Sequence, residues 1–224
     1  MTMERSQPAG LIDHALLAPD ATNESVRQAA RVAIERGCAG LTLNGSNVKF
    51  GSILTKGSAV KVVAVVGGFP LGRTPIAVKA FEAARAVQDG ADELDLMINL
   101  GAFKECSPDY LLKEVGEVVR AAQGRPVKAI LETCYLTDQE KVRAGLLAGQ
   151  AGAGWVVTST GYGPGDATVA DVALLRSQLP AALQIKAVGD LRTKQRAQAL
   201  LEAGAARLGV TATAELLDDW AASA

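Results

Sequence analysis

The sequence is poor in cysteine and histidine, and it has no excess of charge of either sign. Its 224 residues include three cysteines and one histidine. The cysteines are far apart and form no Cys-x-x-Cys pair, so a zinc-type ligand set is not expected. Lysine and arginine together number 23 against 24 aspartate and glutamate residues, for a net charge of −1. Because a nucleic-acid backbone is bound by clustered positive charge, we do not expect nucleic acid as a partner.

Long apolar runs are also missing. No segment approaches the roughly 20 apolar residues of a membrane span, and the first eight residues lack the apolar stretch of a secretory leader. The odd number of cysteines fits a reducing compartment, and Cys38, Cys106 and Cys134 are expected to be buried free thiols. These absences predict a soluble cytoplasmic protein with no membrane partner.

Hydrophobic side chains make up 49% of the sequence, arranged in short apolar segments that alternate with longer amphipathic ones. Eight segments have the length and composition of strands. They are residues 11–16, 40–43, 60–66, 93–99, 127–132, 155–159, 184–188 and 207–210. Six segments between them have helical periodicity: residues 24–36, 75–88, 110–122, 138–148, 169–178 and 194–203. Most of these helices are followed by a glycine, as helix C-termini often are.

The order of these elements favours a parallel α/β fold. Strands that are apolar at nearly every position, such as residues 61–66, suit a sheet covered on both faces. Eight βα units of about 28 residues each would close a small barrel. The alternative is an open doubly wound sheet, but residues 16–20 lack the glycine-rich turn that follows its first strand. We therefore predict a single-domain (β/α)8 TIM barrel over residues 10–224, preceded by a loose N-terminal arm over residues 1–9.

Polar residues interrupt six of the predicted strands or end them, where the active site of such a barrel lies. These residues are Asp13, His14, Asn44, Asp95, Asn99, Lys128, Glu132, Ser159, Thr160 and Lys186. Burying a lone charge is costly, so Asp95, Lys128 and Lys186 must either form ion pairs or take part in chemistry. A salt-bridge network inside the barrel is one explanation. His14 and Asp13 cannot form a dyad, because neighbouring residues on a strand face opposite sides.

An active site with two lysines and carboxylates is the other explanation. Desolvation or a second cation lowers the pKa of a lysine, and the neutral amine can then form a Schiff base with a carbonyl substrate. A neighbouring carboxylate can relay the protons that this chemistry requires. The residue pattern therefore indicates carbonyl chemistry, with Asp95, Lys128 and Lys186 as the candidate catalytic residues.

Seven short motifs occur in order along the chain. They are Ile-Asp-His at 12–14, Gly-Phe-Pro-Leu-Gly at 68–72, Gly-Ala-Asp-Glu-Leu-Asp at 90–95, Ile-Asn-Leu-Gly at 98–101, Val-Lys-Ala-Ile-Leu-Glu-Thr at 127–133, Thr-Ser-Thr-Gly-Tyr-Gly at 158–163 and Ile-Lys-Ala at 185–187. In these motifs the sequence resembles the deoxyribose-phosphate aldolase family. The resemblance implies a (β/α)8 barrel without metal or other cofactor, and a homodimer. It also implies a lysine Schiff base that joins or cleaves acetaldehyde and glyceraldehyde 3-phosphate.

The sequence departs from the family at the residue that matters most. The family's Schiff-base lysine stands directly before the Thr-Ser-Thr-Gly motif, where this chain has Val157, and valine cannot form an imine. By the same resemblance Lys186 is the second lysine, which tunes the first, and Asp95 is the proton-relay carboxylate. Lys128 also matches a lysine of the family pattern. Three polar groups of the family site are thus retained around a missing nucleophile.

The predicted phosphate end departs as well. Family members have paired glycines after the seventh strand and a Gly-Thr-Ser-Ser turn after the eighth, whose N–H groups hold the phosphate. This chain has Gly189-Asp190 and Gly209-Val210-Thr211-Ala212 instead. An aspartate beside a phosphate dianion would repel it by about 1 kcal/mol or more. The candidate substrate-binding residues are Asp13, Asn44, Asn99, Glu132, Val157, Ser159, Thr160, Gly189, Asp190 and Gly209, and no metal ligands are predicted.

Three hypotheses about function follow from the sequence. The first is an aldolase-like lyase acting on a carbonyl substrate without the phosphate, with Lys186 as nucleophile or proton carrier and Asp95 as general acid and base. The second is an isomerase, a cyclase or a non-covalent aldol catalyst that forms no imine and uses Asp95 and the charge of the lysines. The third is a catalytically inactive member of the fold that binds a metabolite or a protein.

Overall fold

Residues 8–105 and 108–222 are described by a computed structural model, and within them eight parallel strands close into a barrel. The strands are β1 (Ile12–Leu16), β2 (Gly40–Asn44), β3 (Lys61–Val66), β4 (Glu93–Met97), β5 (Val127–Ile130), β6 (Trp155–Val157), β7 (Gln184–Val188) and β8 (Arg207–Val210). Each strand pairs with the next, and β1 pairs with β8, where Asp13 is level with Gly209. The predicted (β/α)8 barrel is confirmed.

Helices cover the outside of the barrel. They are α1 (Asn23–Glu35), α2 (Val48–Leu54), α3 (Ile76–Gln88), α4 (Leu100–Glu105), α5 (Pro108–Ala121), α6 (Asp138–Gln150), α7 (Val169–Gln178), α8 (Lys194–Glu202) and α9 (Thr213–Ala222). Capping boxes begin two of them, at Thr22 for α1 and at Thr137 for α6, and satisfy backbone N–H groups of the first turn. The predicted apolar face of α1, from Val26 to Ala33, is buried against the barrel.

The hydrophobic core has two parts of very different size. The larger part lies between strands and helices, where outward-facing strand residues such as Leu41, Leu94 and Leu208 are fully buried. The smaller part lies inside the barrel and consists of Met97, Ile130 and Val157. The rest of the barrel interior is partly polar, and this polar part forms the site described below.

Three strands end earlier than the sequence predicts. The expected strands over residues 93–99, 127–132 and 155–159 end at Met97, Ile130 and Val157. Glu132 has a left-handed backbone with φ of 48°, which ends the extended chain after β5. Polar residues predicted at the ends of these strands therefore lie in loops. The short helices α2 and α4 and the last helix α9 are not predicted by the helical periodicity.

Two further predictions concern the cysteines and the N-terminal arm. Cys38 is buried as expected, whereas the prediction for Cys134 is wrong, because its side chain is exposed in the loop after β5. Cys106 lies outside the described residues. Of the predicted arm over residues 1–9, only Pro8 and Ala9 are described, and they begin a short 3₁₀ helix over Pro8–Leu11.

Candidate active site

Lys186 lies at the centre of the barrel interior, between two carboxylates from other strands. Its Nζ is 2.7 Å from Asp13 Oδ2 on β1 and 2.7 Å from Asp95 Oδ2 on β4. All three side chains face inward and are buried. They meet because inward-facing positions of a closed barrel converge even when their strands are not neighbours. The structure thus brings together Lys186 and Asp95, two of the three candidate catalytic residues, with Asp13.

Lys128, on β5, joins the same cluster from the other side. Its Nζ is 2.6 Å from Glu93 Oε2, 3.1 Å from Asp95 Oδ1 and 3.5 Å from Asp13 Oδ2. Arg207, at the start of β8, is 2.7 Å from Asp13 Oδ1. We call these side chains the interior network: Asp13, Glu93, Asp95, Lys128, Lys186 and Arg207. Three cations balance three carboxylates, so the network carries no net charge.

Sequence reasoning missed Glu93 and Arg207. Both stand at the first position of a strand, where a charged residue is ordinarily exposed to solvent. The alternation of side chains along a strand could have identified them, because Glu93 lies two residues before Asp95 and Arg207 lies two residues before Gly209. Residues at this spacing face the same side, which here is the interior.

Lys128 and Asp13 are held in their charged forms. Burial by itself lowers the pKa of Lys128, but the carboxylates of Asp95, Asp13 and Glu93 outweigh burial and raise that pKa well above its usual range. Burial likewise raises the pKa of Asp13, and Lys186, Lys128 and Arg207 together lower it far below its usual range. Lys128 is therefore an ammonium ion at neutral pH and is not a nucleophile.

Val157 belongs to the apolar cluster inside the barrel. Its side chain is 1% exposed and packs with Met97 and Ile130. Met97 and Ile130 each lie two residues beyond a member of the interior network, Asp95 and Lys128. This cluster therefore forms an apolar layer between the network and the mouth of the barrel at the C-terminal ends of the strands.

Two cavities open at this mouth. The first, of about 320 Å³, lies at the ends of β1, β6, β7 and β8, and Thr160, Gly189, Asp190 and Gly209 are among its lining residues. The second, of about 310 Å³, lies beside β2, β3 and α3 and is lined in part by Asn44. We call the first the mouth cavity. Five of the predicted substrate-binding residues thus line a cavity, and they are divided between two.

Neither cavity is lined by Asp95, Lys128 or Lys186. The stem of Lys186 nevertheless approaches the mouth cavity at Gly209. A Cβ atom added at Gly209 would lie 2.7 Å from Val188 Cγ2 and 3.1 Å from Lys186 Cε. The absence of a side chain at this position therefore lets the lysine stem and the Val188 side chain lie close to the cavity lining.

Three other candidate residues have contacts in the loops that follow β4, β5 and β6. Glu132 is buried and accepts hydrogen bonds from the N–H and the hydroxyl of Thr160. Burial raises the pKa of Glu132, and the Thr160 hydrogen bonds oppose this increase. Ser159 is buried beside Thr158 Oγ1 at 3.2 Å. Asn99 Oδ1 accepts the N–H of Ala102 at 3.1 Å and so caps α4. Their role in substrate binding stays a prediction.

His14 faces away from the interior network, as the alternation along β1 predicts. Its Nδ1 is 2.9 Å from Thr213 Oγ1 of α9. Burial lowers the pKa of His14, and a hydrogen bond to the backbone of Val210 opposes this decrease. The histidine thus joins the first strand to the last helix.

In the described ranges no group of three or more His, Cys, Asp or Glu side chains is arranged to hold a metal ion. None of the helices in residues 8–105 and 108–222 combines the length and apolar character needed to cross a membrane.

A closed parallel barrel with lysines and carboxylates in its interior and a cavity at its C-terminal mouth places the chain among (β/α)8-barrel proteins with a polar site at that mouth. No family model matches the chain. The deoxyribose-phosphate aldolase of Thermococcus gammatolerans is 45% identical over 214 residues, which cover 94% of this chain and 95% of the relative. The corresponding protein of Thermococcus kodakarensis is 44% identical over 220 residues, covering 96% and 98%. The chain belongs to the deoxyribose-phosphate aldolase family.

Solved structures agree with this assignment. The deoxyribose phosphate aldolase of Aeropyrum pernix, described as a tetramer, superposes with a TM-score of 0.89 at 32% identity, over 96% of this chain and 92% of that one. The family predicted from the seven motifs is thus confirmed. The departure from the family at Val157 and the roles of individual site residues stay predictions.

Proposed function

We propose that this protein is an aldolase-type lyase that makes or breaks a carbon–carbon bond in a carbonyl substrate without a phosphate group. Membership of the deoxyribose-phosphate aldolase family supports the reaction type. The observation that carries the proposal is the contact of 2.7 Å between Lys186 Nζ and Asp95 Oδ2. The stem of the same lysine approaches Gly209, which lines the mouth cavity. An acid–base pair is thus retained beside a cavity of a size suited to a small substrate.

In the cleavage direction, the substrate's carbonyl group lies in the mouth cavity above Gly209. The Lys186 side chain turns from Asp13 towards the cavity and donates a hydrogen bond to the carbonyl oxygen. Asp95 accepts the proton of the β-hydroxyl group as the carbon–carbon bond breaks. The bonding electrons move into the carbonyl, giving an aldehyde and an enolate that the Lys186 ammonium stabilises. Proton return from Asp95 to the enolate carbon completes the reaction.

An imine version of the same reaction uses Lys186 as the nucleophile. The ammonium first passes a proton to Asp95, and the neutral amine attacks the carbonyl carbon. The resulting carbinolamine then loses water as the imine forms. Lys128 cannot replace it, because three carboxylates hold Lys128 as an ammonium ion. In both versions Lys128 holds the carboxylates of Asp95 and Asp13 in place.

Borohydride trapping distinguishes these versions. The protein is treated with borohydride and a panel of aldehydes and unphosphorylated 2-deoxy sugars, and adducts are located by peptide mass spectrometry. We expect an adduct on Lys186 that is lost in Lys186→Met and kept in Lys141→Met, which changes an ion-paired lysine of α6 outside the barrel interior. Cleavage activity should also fall in Lys186→Met and Asp95→Asn. Activity without an adduct would refute the imine version, and activity unaffected by either substitution would refute the proposed site.

A binding protein without catalytic activity is the second candidate function. It is favoured by the balanced charges of the interior network and by the apolar packing of Val157. In that case Lys186→Met lowers stability, and no substrate of the panel is turned over.

The isomerase or cyclase alternative predicts a different signature. Solvent deuterium should enter a bound ketone or aldehyde next to its carbonyl, because Asp95 would move that proton. Exchange that survives Lys186→Ala would argue against this alternative.

Three further properties are proposed. A cytoplasmic location is proposed from the cysteine usage and the lack of long apolar runs, and independence of metal and assembly into a homodimer are proposed from the family resemblance. The Aeropyrum pernix relative is described as tetrameric. Light scattering after size exclusion decides between dimer and tetramer for this chain.

A further inference from the structure

The mouth cavity is lined by carboxylates and lacks positive side chains. Asp166 and Asp190 line it together with hydroxyl groups of Thr160, Tyr162 and Thr211. Among the described residues that line the cavity there is no lysine, arginine or histidine. A cavity of this composition attracts hydrogen-bond donors and repels anions.

Asp166 occupies a position where an anion is held by the backbone. Its Oδ2 accepts the N–H of Asp190 at 3.2 Å and lies 3.1 Å from a terminal nitrogen of Arg196 on α8. A backbone N–H together with a guanidinium group is a donor set that binds phosphate or carboxylate oxygens. Here the chain's own carboxylate uses both donors.

Asp166 packs closely against Gly189, and the residue that follows it is held by a backbone hydrogen bond. A Cβ atom at Gly189 would lie 2.8 Å from Asp166 Cβ, so this approach is possible only because residue 189 is glycine. The next residue, Ala167, donates its N–H to the carbonyl of Val188 at 3.0 Å. Asp166 is therefore fixed against the turn that follows β7.

The second aspartate of the cavity adds to the negative charge. Asp190 Oδ1 is 2.7 Å from Arg192 Nε, and the same guanidinium is 2.7 Å from Glu215 Oε2. Arg192 is therefore shared between two carboxylates. A phosphate dianion entering the cavity would have to displace Asp166 and lie beside Asp190.

We propose that Asp166 is an internal anion that determines specificity, by filling the anion position of the mouth cavity and excluding phosphate monoesters. The ligands that fit are small carbonyl compounds whose far end carries hydroxyl groups, which donate hydrogen bonds to the Asp166 and Asp190 carboxylates. The preference among substrates rests on the proposed lyase function. The exclusion of phosphate is a binding property, which can be measured without turnover.

The test is equilibrium binding of inorganic phosphate, measured by calorimetry and by the amide NMR signals of Gly189 and Asp190. Wild-type protein should show no saturable binding at the cavity. Asp166→Gly frees the N–H and Arg196, and we expect its affinity for phosphate to rise by about tenfold or more. Asp166→Asn removes the charge but keeps the N–H occupied, so its gain should be smaller.

Asp218→Asn is the matched control, because Asp218 pairs with Arg36 at 2.9 Å outside the cavity. This control should behave as wild type. Wild-type binding with shifts of the Gly189 and Asp190 signals would overturn the proposal, as would a folded Asp166→Gly that gains no affinity. Should Asp166→Gly fail to fold, Asp166→Ser frees the same donors and decides the question. Because no turnover is measured, failure here is distinguishable from failure of the lyase proposal.

Discussion

Val157 is the residue at which the sequence predicts a departure from the family's chemistry. It pairs in register with Ile130 on one side and with Lys186 on the other. A lysine at this position would extend from a buried apolar layer and lie near the Lys186 ammonium group. Burial and a neighbouring cation both lower the pKa of a lysine, and both would favour a neutral, nucleophilic amine there. The surroundings of Val157 are thus suited to activating an amine that the chain does not have.

Val157→Lys should therefore acquire an amine that forms imines. We expect borohydride with acetaldehyde to label residue 157 of this variant, as located by peptide mass spectrometry. Adding the longer side chain should lower the free energy of unfolding by about 1–3 kcal/mol, because the interior is already filled. Val157→Met adds similar bulk without an amine and should remain unlabelled at this residue. A folded Val157→Lys variant without label would contradict the expectation that the mouth admits aldehydes to this layer.

Some residues of the interior network can be recognised as site candidates from the sequence alone. Asp95, Lys128 and Lys186 are conspicuous because charged residues stand inside apolar segments, and the structure places all three in one cluster. Asp166 has no comparable signal, because it lies in a loop without periodicity and its partners come from the turn after β7 and from α8. Its contacts depend on how the β6–α7 loop packs on the turn after β7, which local sequence does not determine.

At the scale of elements, α3 and α5 are joined by a buried ion pair. Lys79 Nζ of α3 is 2.8 Å from Glu114 Oε1 of α5, and both side chains are completely buried. Lys79 also donates to the carbonyl of Met97 at 2.7 Å, and Glu114 accepts the N–H of Asn99. Burial lowers the pKa of Lys79 and raises that of Glu114. The pair thus connects two helices to the end of β4, where the strand leaves the barrel.

Lys79→Met should destabilise the protein strongly, because it leaves the Glu114 carboxylate buried without its cation. A loss of about 3–5 kcal/mol in the free energy of unfolding is expected, measured by urea denaturation. The double substitution Lys79→Met with Glu114→Gln should recover much of that loss, since neither charge then remains. Lys113→Met, at an exposed position of α5, serves as control and should have little effect. Equal losses in the single and double variants would show that the ion pair itself is unimportant.

Element boundaries were predictable to different degrees. The sequence predicts β7 and β8 with the bounds that the structure shows, because apolar residues fill those segments and turns follow them. Lys79 could not be assigned to the interior in the same way, since a lysine on an amphipathic helix ordinarily faces solvent. Helices α2 and α4 have seven and six residues, too few for a helical period to stand out.

At the scale of the whole molecule, closure of the barrel creates the site. Asp13 of β1 contacts Lys186 of β7, Lys128 of β5 and Arg207 of β8. The number and order of strands are sufficient to predict the barrel, because eight alternating βα units have few other ways to cover both faces of a sheet. Pairing inside the barrel depends on register and strand tilt, which determine which inward residues are level. The cluster could therefore be predicted as a set of buried charges, but its pairs could not.

Closure also joins the two ends of the described chain through His14, the only histidine in the sequence. Burial lowers the pKa of His14, so the folded protein favours the neutral ring. The unfolded chain takes up this proton at the ordinary pKa of about 6.5, whereas the folded chain does so only at lower pH. The unfolded state therefore binds more protons in this range, and stability falls as pH decreases below about 6.5 towards the folded-state pKa.

His14→Asn should remove this part of the pH dependence. We expect the free energy of unfolding, from urea titrations on either side of the histidine pKa, to fall less on acidification in His14→Asn than in wild type. Thr213→Val removes the hydrogen-bond partner of His14 but keeps the imidazole buried against α9, so it should retain the wild-type fall at lower overall stability. Identical pH dependence in His14→Asn and wild type would show that other groups cause the decrease in the free energy of unfolding, and that the His14–Thr213 contact between β1 and α9 does not contribute to it.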